Sequence, residues 1–251
     1  MSLEHILGRA FVELHRDLPR QGPGNDESTL RALAMCTELP ASPDILDIGC
    51  GPGVQTLALA GATDGPITAV DVHEPYLEQL RASARAAGVT NRITTVTADM
   101  AALPFEPGSF DLVWCEGAAF IMGIEAALGG WRPLLRPGGY LAFSDLMWMT
   151  PDVPDEVLEF LTPLDPSICD VAANLERVRA AGYDVVGHFT LPDAAWWAYL
   201  GPLSERVPGA LEKYADDEAS LATVRQAEVE LAMRKAYPDA YGYEFVVARV
   251  S

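Results

Sequence analysis

The sequence predicts an α/β fold in which a mostly parallel sheet carries helices on both faces. Three observations lead there. From Asp44 onward, short apolar runs of strand length alternate with longer stretches of helical periodicity. A glycine-rich turn, Asp47-Ile48-Gly49-Cys50-Gly51-Pro52-Gly53, joins the first such run to the first such stretch. Among 251 residues, 49% are apolar and 21% charged, a balance that supports a packed core rather than a disordered chain.

The elements follow in order. Apolar residues at Leu3, Ile6, Leu7, Ala10, Phe11, Leu14 and Leu18 form a helical stripe, broken by Pro19-Arg20-Gln21-Gly22-Pro23-Gly24. Asn25, Asp26 and Ser28 offer caps for a second helix running to about Leu39, ended by Pro40 and Pro43. Strands are expected at Ile45–Ile48, Ile67–Val70, Ile93–Val96, Phe110–Trp114 and Tyr140–Phe143. The helices between them span Val54–Ala62, Glu74–Ala87 and Ile121–Leu135. Later come a short helix over Leu175–Ala181, a strand over Asp184–Phe189, a largely helical stretch from Asp193 to Ala236, and a strand over Tyr241–Val250. The absence of a repeat or clear linker favours one domain over residues 1–251.

Charge narrows the partners. With 17 basic and 36 acidic residues the net charge is −19, and Lys213 and Lys235 are the only lysines. A protein that displaces counterions from phosphates needs a basic face, so no nucleic-acid partner is expected, and an anionic membrane surface repels the chain. No apolar run is long enough to span a bilayer. Glu4, His5 and Arg9 interrupt the N-terminal apolar pattern, unlike a signal peptide. Cys36, Cys50, Cys115 and Cys169 have no paired spacing, which argues for reduced thiols in a cytoplasm and against a metal site.

The glycine turn allows tight backbone bending and close ligand approach at a helix N-terminus. Its D-x-G-x-G-x-G spacing differs from the dinucleotide fingerprint, and no lysine is near enough for a phosphate loop. Asp71 ends the second strand, where a carboxylate can accept both hydroxyls of a ribose. Ala98-Asp99-Met100 follows the third strand, and an acidic group followed by an apolar one can take an adenine amino group and cover its ring. Each piece has a plain structural alternative, as a turn or a helix cap. Their succession at the carboxyl ends of three strands points to a nucleoside site.

At this level of detail the chain resembles the class I S-adenosylmethionine-dependent methyltransferases. The resemblance rests on ILDIGCGPGVQTLALA, AVDVHEPY, TADMAALPFEPGSFDLVWCEGA and WRPLLRPGGYLAFSDL, in order between Ile45 and Leu146. It implies a Rossmann-like seven-stranded mixed sheet of order 3-2-1-4-5-7-6, with the last strand antiparallel between its neighbours. It also implies S-adenosylmethionine as cofactor, held by Asp47, Gly49, Cys50, Gly51 and Gly53 at the methionine end. Asp71 and Val72 would meet the ribose, and Asp99 and Met100 the adenine. An N-terminal helical lid (1–40), a cofactor-binding core (41–146) and an acceptor-side half (147–251) complete the expected organisation.

Methyl transfer from a sulfonium is an in-line displacement, so alignment dominates, and a base is needed only when the acceptor arrives protonated. Glu116, ending the fourth strand, is the carboxylate placed to steady positive charge, bind the cofactor's amino end or act as base; the alternative is a helix cap. His15 precedes the Pro- and Gly-rich turn, on a lid or on a helix surface. Trp148, Trp196, Trp197 and Tyr199 are candidates for the pocket of a small-molecule acceptor, or equally for the core of a helical cap. A short-chain dehydrogenase is disfavoured because neither lysine has a tyrosine four residues earlier. A non-methylating nucleoside-binding module remains the other alternative. Oligomeric state is not written in the sequence.

Overall fold

The computed structural model describes residues 8–251. Met1–Leu7, and with it the first part of the expected Leu3–Leu18 helix, lies outside the described residues. In chain order the elements are α1 (Arg9–His15), α2 (Asp26–Met35), β1 (Ile45–Ile48), α3 (Val54–Ala62), β2 (Ile67–Asp71), α4 (Glu74–Ala86), β3 (Ile93–Thr97) and β4 (Phe110–Glu116). They continue with α5 (Ile124–Trp131), β5 (Leu135–Trp148), α6 (Asp155–Leu161), α7 (Val171–Ala180), β6 (Tyr183–Thr190), α8 (Asp193–Lys213), α9 (Glu218–Ala236) and β7 (Tyr241–Val250).

All seven strands form one sheet of order β3-β2-β1-β4-β5-β7-β6, with β7 antiparallel to both neighbours. The order and the reversed last strand are those implied by the resemblance. Alternate residues of each central strand feed opposite faces. Trp114, Tyr140, Ala142, Tyr241, Tyr243 and Phe245 enter the core shared with α1, α2, α8 and α9. Val113, Cys115, Leu141, Phe143, Val246 and Ala248 enter the other, against α5 and α7. On the first face, β5 and β7 pair Leu146 with Tyr243 and Trp148 with Tyr241, which brings aromatic side chains to the sheet's carboxyl edge.

Several boundaries differ from expectation, each for a local reason. Helix α1 stops at His15 rather than Leu18, because Pro19 disfavours helical backbone at Leu18 and Asp17 turns left-handed, φ 57°. Helix α2 stops at Met35, and the amides of Cys36 and Leu39 close short turns instead. Gly123 (φ 86°) divides the expected Ile121–Leu135 helix into a 3-10 turn, Ala119–Ile121, and α5. A second 3-10 turn holding Pro133 leads directly into β5, which therefore claims Leu135. The stretch from Asp193 splits into α8 and α9 where Asp217 caps the amide of Ser220. Helix α6 was not foreseen; its seven residues, DEVLEFL, are too short for a clear period.

Leu112, central in β4 and fully buried, reports on this core. Leu112→Ala should lose about 2–5 kcal/mol of stability in urea unfolding, the usual result of a large-to-small core change. A loss near zero would mean that the sheet centre is loosely packed.

Candidate active site

The glycine turn runs from the end of β1 to the start of α3. Gly49 has φ 66°, and a Cβ there would lie 2.7 Å from that of Ala118. Gly53 has φ 84°, and a Cβ there would meet Leu80 at 2.3 Å. Both positions therefore need glycine for backbone shape and for space. Cys50 is buried, its amide bonded to the Val70 carbonyl at 3.0 Å, which ties the turn to β2. Asp47 is wholly buried: Thr56 donates to Oδ2 at 2.5 Å, and Oδ1 has no partner among the described residues. Burial pushes its carboxyl up to about 7; the Thr56 bond opposes this and the charge of Glu116 adds to it.

Asp71 closes the next strand. Its oxygens accept from the amides of Gly51 (2.9 Å) and His73 (2.8 Å), so the carboxylate is fixed while each oxygen keeps a further lone pair. Burial raises its pKa, and these amides pull it back. Val72 beside it is 64% exposed, an apolar side chain left uncovered at the sheet edge. Asp99 is exposed and accepts from Ala101 N at 2.9 Å. Met100 is anchored through its carbonyl by Trp131 Nε1 (3.1 Å), and its Cε faces Gly49.

Glu116 is not the open carboxylate that a free base requires. Its side chain is 4% exposed and receives Arg20 Nη1 at 2.7 Å, Thr29 Oγ1 at 2.6 Å and Trp114 Nε1 at 3.0 Å. The segment after α1 thereby lies across the glycine turn. Gln21 covers Gly51, accepts from the Tyr76 hydroxyl (2.7 Å) and donates to the His15 carbonyl (3.1 Å). Gly24 N bonds Ala195 O at 3.0 Å, joining this segment to α8. A cleft of about 420 Å³ opens beside it, walled by Pro19, Arg20, Gly24, Asn25, Val54 and Ala198 among others.

The aromatic candidates separate. His15 is buried rather than on a helix surface; its Nδ1–H donates to Phe11 O (2.9 Å), and Nε2 accepts from the Tyr199 hydroxyl (3.1 Å). Desolvation lowers its pKa, which favours this neutral form. Trp196 is buried in the core, edge-on to Tyr241 and Tyr243. Trp197 packs partly against the same core; its indole donates to Asp193 at 2.8 Å, and Lys235 stands 5.8 Å above its ring. Trp148 is half-buried at the end of β5, against the same core as Trp196.

Arg20, Gln21, Thr29 and Tyr76 were not singled out by the sequence. The only available signal was the basic residue inside PRQGPG. Arg20 is 7% exposed, and its Nη2 has no hydrogen-bond partner among the described residues; Asp26 is 3.7 Å away.

Comparisons with known proteins agree with this fold. Residues 45–139 match the methyltransferase domain family model. The chain is 31% identical over 172 residues to 27-O-demethylrifamycin SV methyltransferase of Amycolatopsis mediterranei, covering 67% of this chain and 57% of that protein. It spans about half the length of the curated relatives it matches. A Geobacter sulfurreducens methyltransferase solved in complex with S-adenosyl-L-homocysteine superposes with a TM-score of 0.82 at 20% identity, covering 97% of this chain and 98% of that one. The [4+2]-cyclase SpnF superposes at 0.77 with 21% identity, covering 99% and 94%. Residues 45–139 thus carry the methyltransferase domain, on a sheet of the order implied by the resemblance to the class I S-adenosylmethionine-dependent methyltransferases.

The raised Asp47 pKa has a thermodynamic consequence. The folded state holds this proton more tightly than the unfolded chain, so Asp47 contributes stability below about pH 4 that is lost as pH rises toward 7. Asp47→Asn should therefore gain about 1–4 kcal/mol relative to the parent between pH 4 and 7, read from paired denaturation curves. A constant difference would show that Asp47 is ionised throughout.

Proposed function

We propose that this chain transfers a methyl group from S-adenosylmethionine to a small-molecule acceptor. The observation that carries the reading is a complementary pair of orphaned buried atoms at the end of the glycine turn. Among the described residues, Asp47 Oδ1 is an acceptor without a donor, and Arg20 Nη2 a donor without an acceptor. Arg20 lies close enough to act on the Asp47 carboxyl. An amino-acid zwitterion satisfies both, its ammonium on Asp47 and its carboxylate on Arg20. The cofactor's methionine end is such a zwitterion. Asp71 would take the ribose hydroxyls, with Val72 against the sugar; Asp99 would take the adenine amino group, with Met100 on its ring. Gly49, Cys50, Gly51 and Gly53 supply the backbone approach. When bound, the cofactor supplies an activated methyl group on a cationic sulfur.

The chain's residues then align rather than activate. Glu116, held by three donors, positions Arg20 and keeps the end of β4 rigid, and we assign it no proton transfer. Residues 1–40 act as a lid, 41–146 as the cofactor core and 147–251 as the acceptor side of one unit. His15 and Tyr199 join lid to cap, and Trp148 and Trp196 back the acceptor space. A small acceptor accords with the relatives' names and with the charge of −19, which disfavours nucleic acid. Among the described residues no helix is long and apolar enough to cross a membrane. Reduced cysteines accord with a cytoplasmic setting.

Calorimetry tests the cofactor. S-adenosylhomocysteine should bind and NAD should not, and Asp71→Ala should weaken the former about tenfold to hundredfold, as loss of hydrogen bonds to a charged group does. NAD binding without adenosyl-ligand binding would overturn the proposal.

Hydrogen exchange tests the lid. Amides of Arg16–Gly24 should exchange more slowly once S-adenosylhomocysteine is bound, because Arg20 gains its missing partner. Equal exchange in both states would make the segment permanent packing.

A further inference from the structure

The guanidinium of Arg20 is held firmly on one side and loosely on the other. Nη1 donates to Glu116 Oε2 at 2.7 Å, and Gly24 packs so closely that a Cβ there would come within 2.5 Å of Nη1 and 3.1 Å of Cζ. A guanidinium is planar, so this seat also fixes where Nη2 points. Nη2 is buried and makes no hydrogen bond among the described residues, yet a carboxylate stands near it. Asp26 Oδ1 is 3.7 Å away, an ion-pair distance but too long for a hydrogen bond. The two side chains differ sharply in exposure, 7% for Arg20 and 66% for Asp26.

Asp26 is the first residue of α2, and it lines the cleft of about 420 Å³ together with Arg20. Its plain reading is an acid that complements the dipole of the helix start. The helix does not depend on it for that. Asn25 already caps α2 by accepting from Ser28 N at 2.9 Å, and Glu27 is a second acid in the first turn.

We propose that Asp26 competes with the cofactor's carboxylate for Arg20 Nη2 and is displaced toward solvent when that carboxylate binds. The inference rests on the reading that Arg20 receives the methionine end, and it adds the residue that sets how tightly that end is held. Arg20 carries one positive charge, which Glu116 already meets through Nη1. With Asp26 in place, an arriving carboxylate would crowd a second acid onto the same nitrogen, and like charges at such distances repel. Of the three charged side chains, Asp26 is the one able to move. Its carboxylate is already largely in water, whereas Arg20 and Glu116 are buried against each other and separate only by leaving buried charges unpaired. When the ligand leaves, Asp26 returns to Nη2. A ligand without a carboxylate at that end does not feel the competition at all.

The test compares two ligands by calorimetry on the full chain. S-adenosylhomocysteine carries the carboxylate; 5′-methylthioadenosine has the same nucleoside and lacks the amino-acid end. Asp26→Asn should bind S-adenosylhomocysteine about twofold to fivefold more tightly than the parent, the range that the energy of an exposed ion pair implies, and should gain nothing for 5′-methylthioadenosine. Asp26→Ser should show the same gain, which separates loss of the charge from any effect peculiar to asparagine. Glu27→Gln removes a charge from the same turn and the same cleft wall, and should gain less than Asp26→Asn. In crystals grown with S-adenosylhomocysteine, Arg20 Nη2 should bond the ligand carboxylate, with Asp26 beyond ion-pair distance. Four results would each overturn the inference: unchanged or weaker binding of S-adenosylhomocysteine in both Asp26 variants, an equal gain for 5′-methylthioadenosine, a Glu27→Gln gain as large as that of Asp26→Asn, or a complex in which Asp26 keeps its place at Nη2. A parent protein that binds no S-adenosylhomocysteine would instead overturn the cofactor reading.

Discussion

Glu116 is the point on which the upper half of the molecule is hung. Its carboxylate gathers a guanidinium from the segment after α1, a hydroxyl from α2 and an indole N–H from its own strand. A buried carboxylate left alone is costly, and one with three good donors is not. The sheet edge is therefore stable only when Arg20 and Thr29 are in place above it. That requirement brings the segment from Arg20 to Thr29 down beside the glycine turn, shapes the cleft beside Arg20, and leaves one guanidinium nitrogen without a hydrogen-bond partner among the described residues.

The same arrangement divides labour among the acids of the site. Glu116 is used up in holding the structure together. Asp71 is fixed by two amides but keeps lone pairs free. Asp47 has one oxygen committed to Thr56 and one without a partner among the described residues. Three carboxylates of nearly identical chemistry thus come to differ through what surrounds each one.

The strand ends were readable in the sequence because they are local. Asp71 and Asp99 follow strand-length runs and Asp47 lies within the short run Ile45–Ile48, and the alternation of runs and helices places them toward one edge of a parallel sheet. Arg20 was not readable: it meets Glu116 across a separation of 96 residues, and nothing in PRQGPG states which strand end it reaches. Trp196 and Trp197 show the converse limit. Adjacent helical residues point about 100° apart, so Trp196 is buried between Tyr241 and Tyr243 while Trp197 packs at the margin of the same core and bonds Asp193.

The position of β7 bears on how the chain acquires its shape during synthesis. This strand is the last of the seven to be made, yet it lies between β5 and β6 and bonds to both. Until it arrives, β5 and β6 each present an unsatisfied edge, and β5 is fourteen residues long with a mostly buried, apolar pattern. Such an edge can pair with another nascent chain as readily as with its own missing strand. The pairing of β5 and β6 through β7 is therefore completed only after the other six strands have been made. Solubility during expression should depend more on that interval than on the stability of the finished fold.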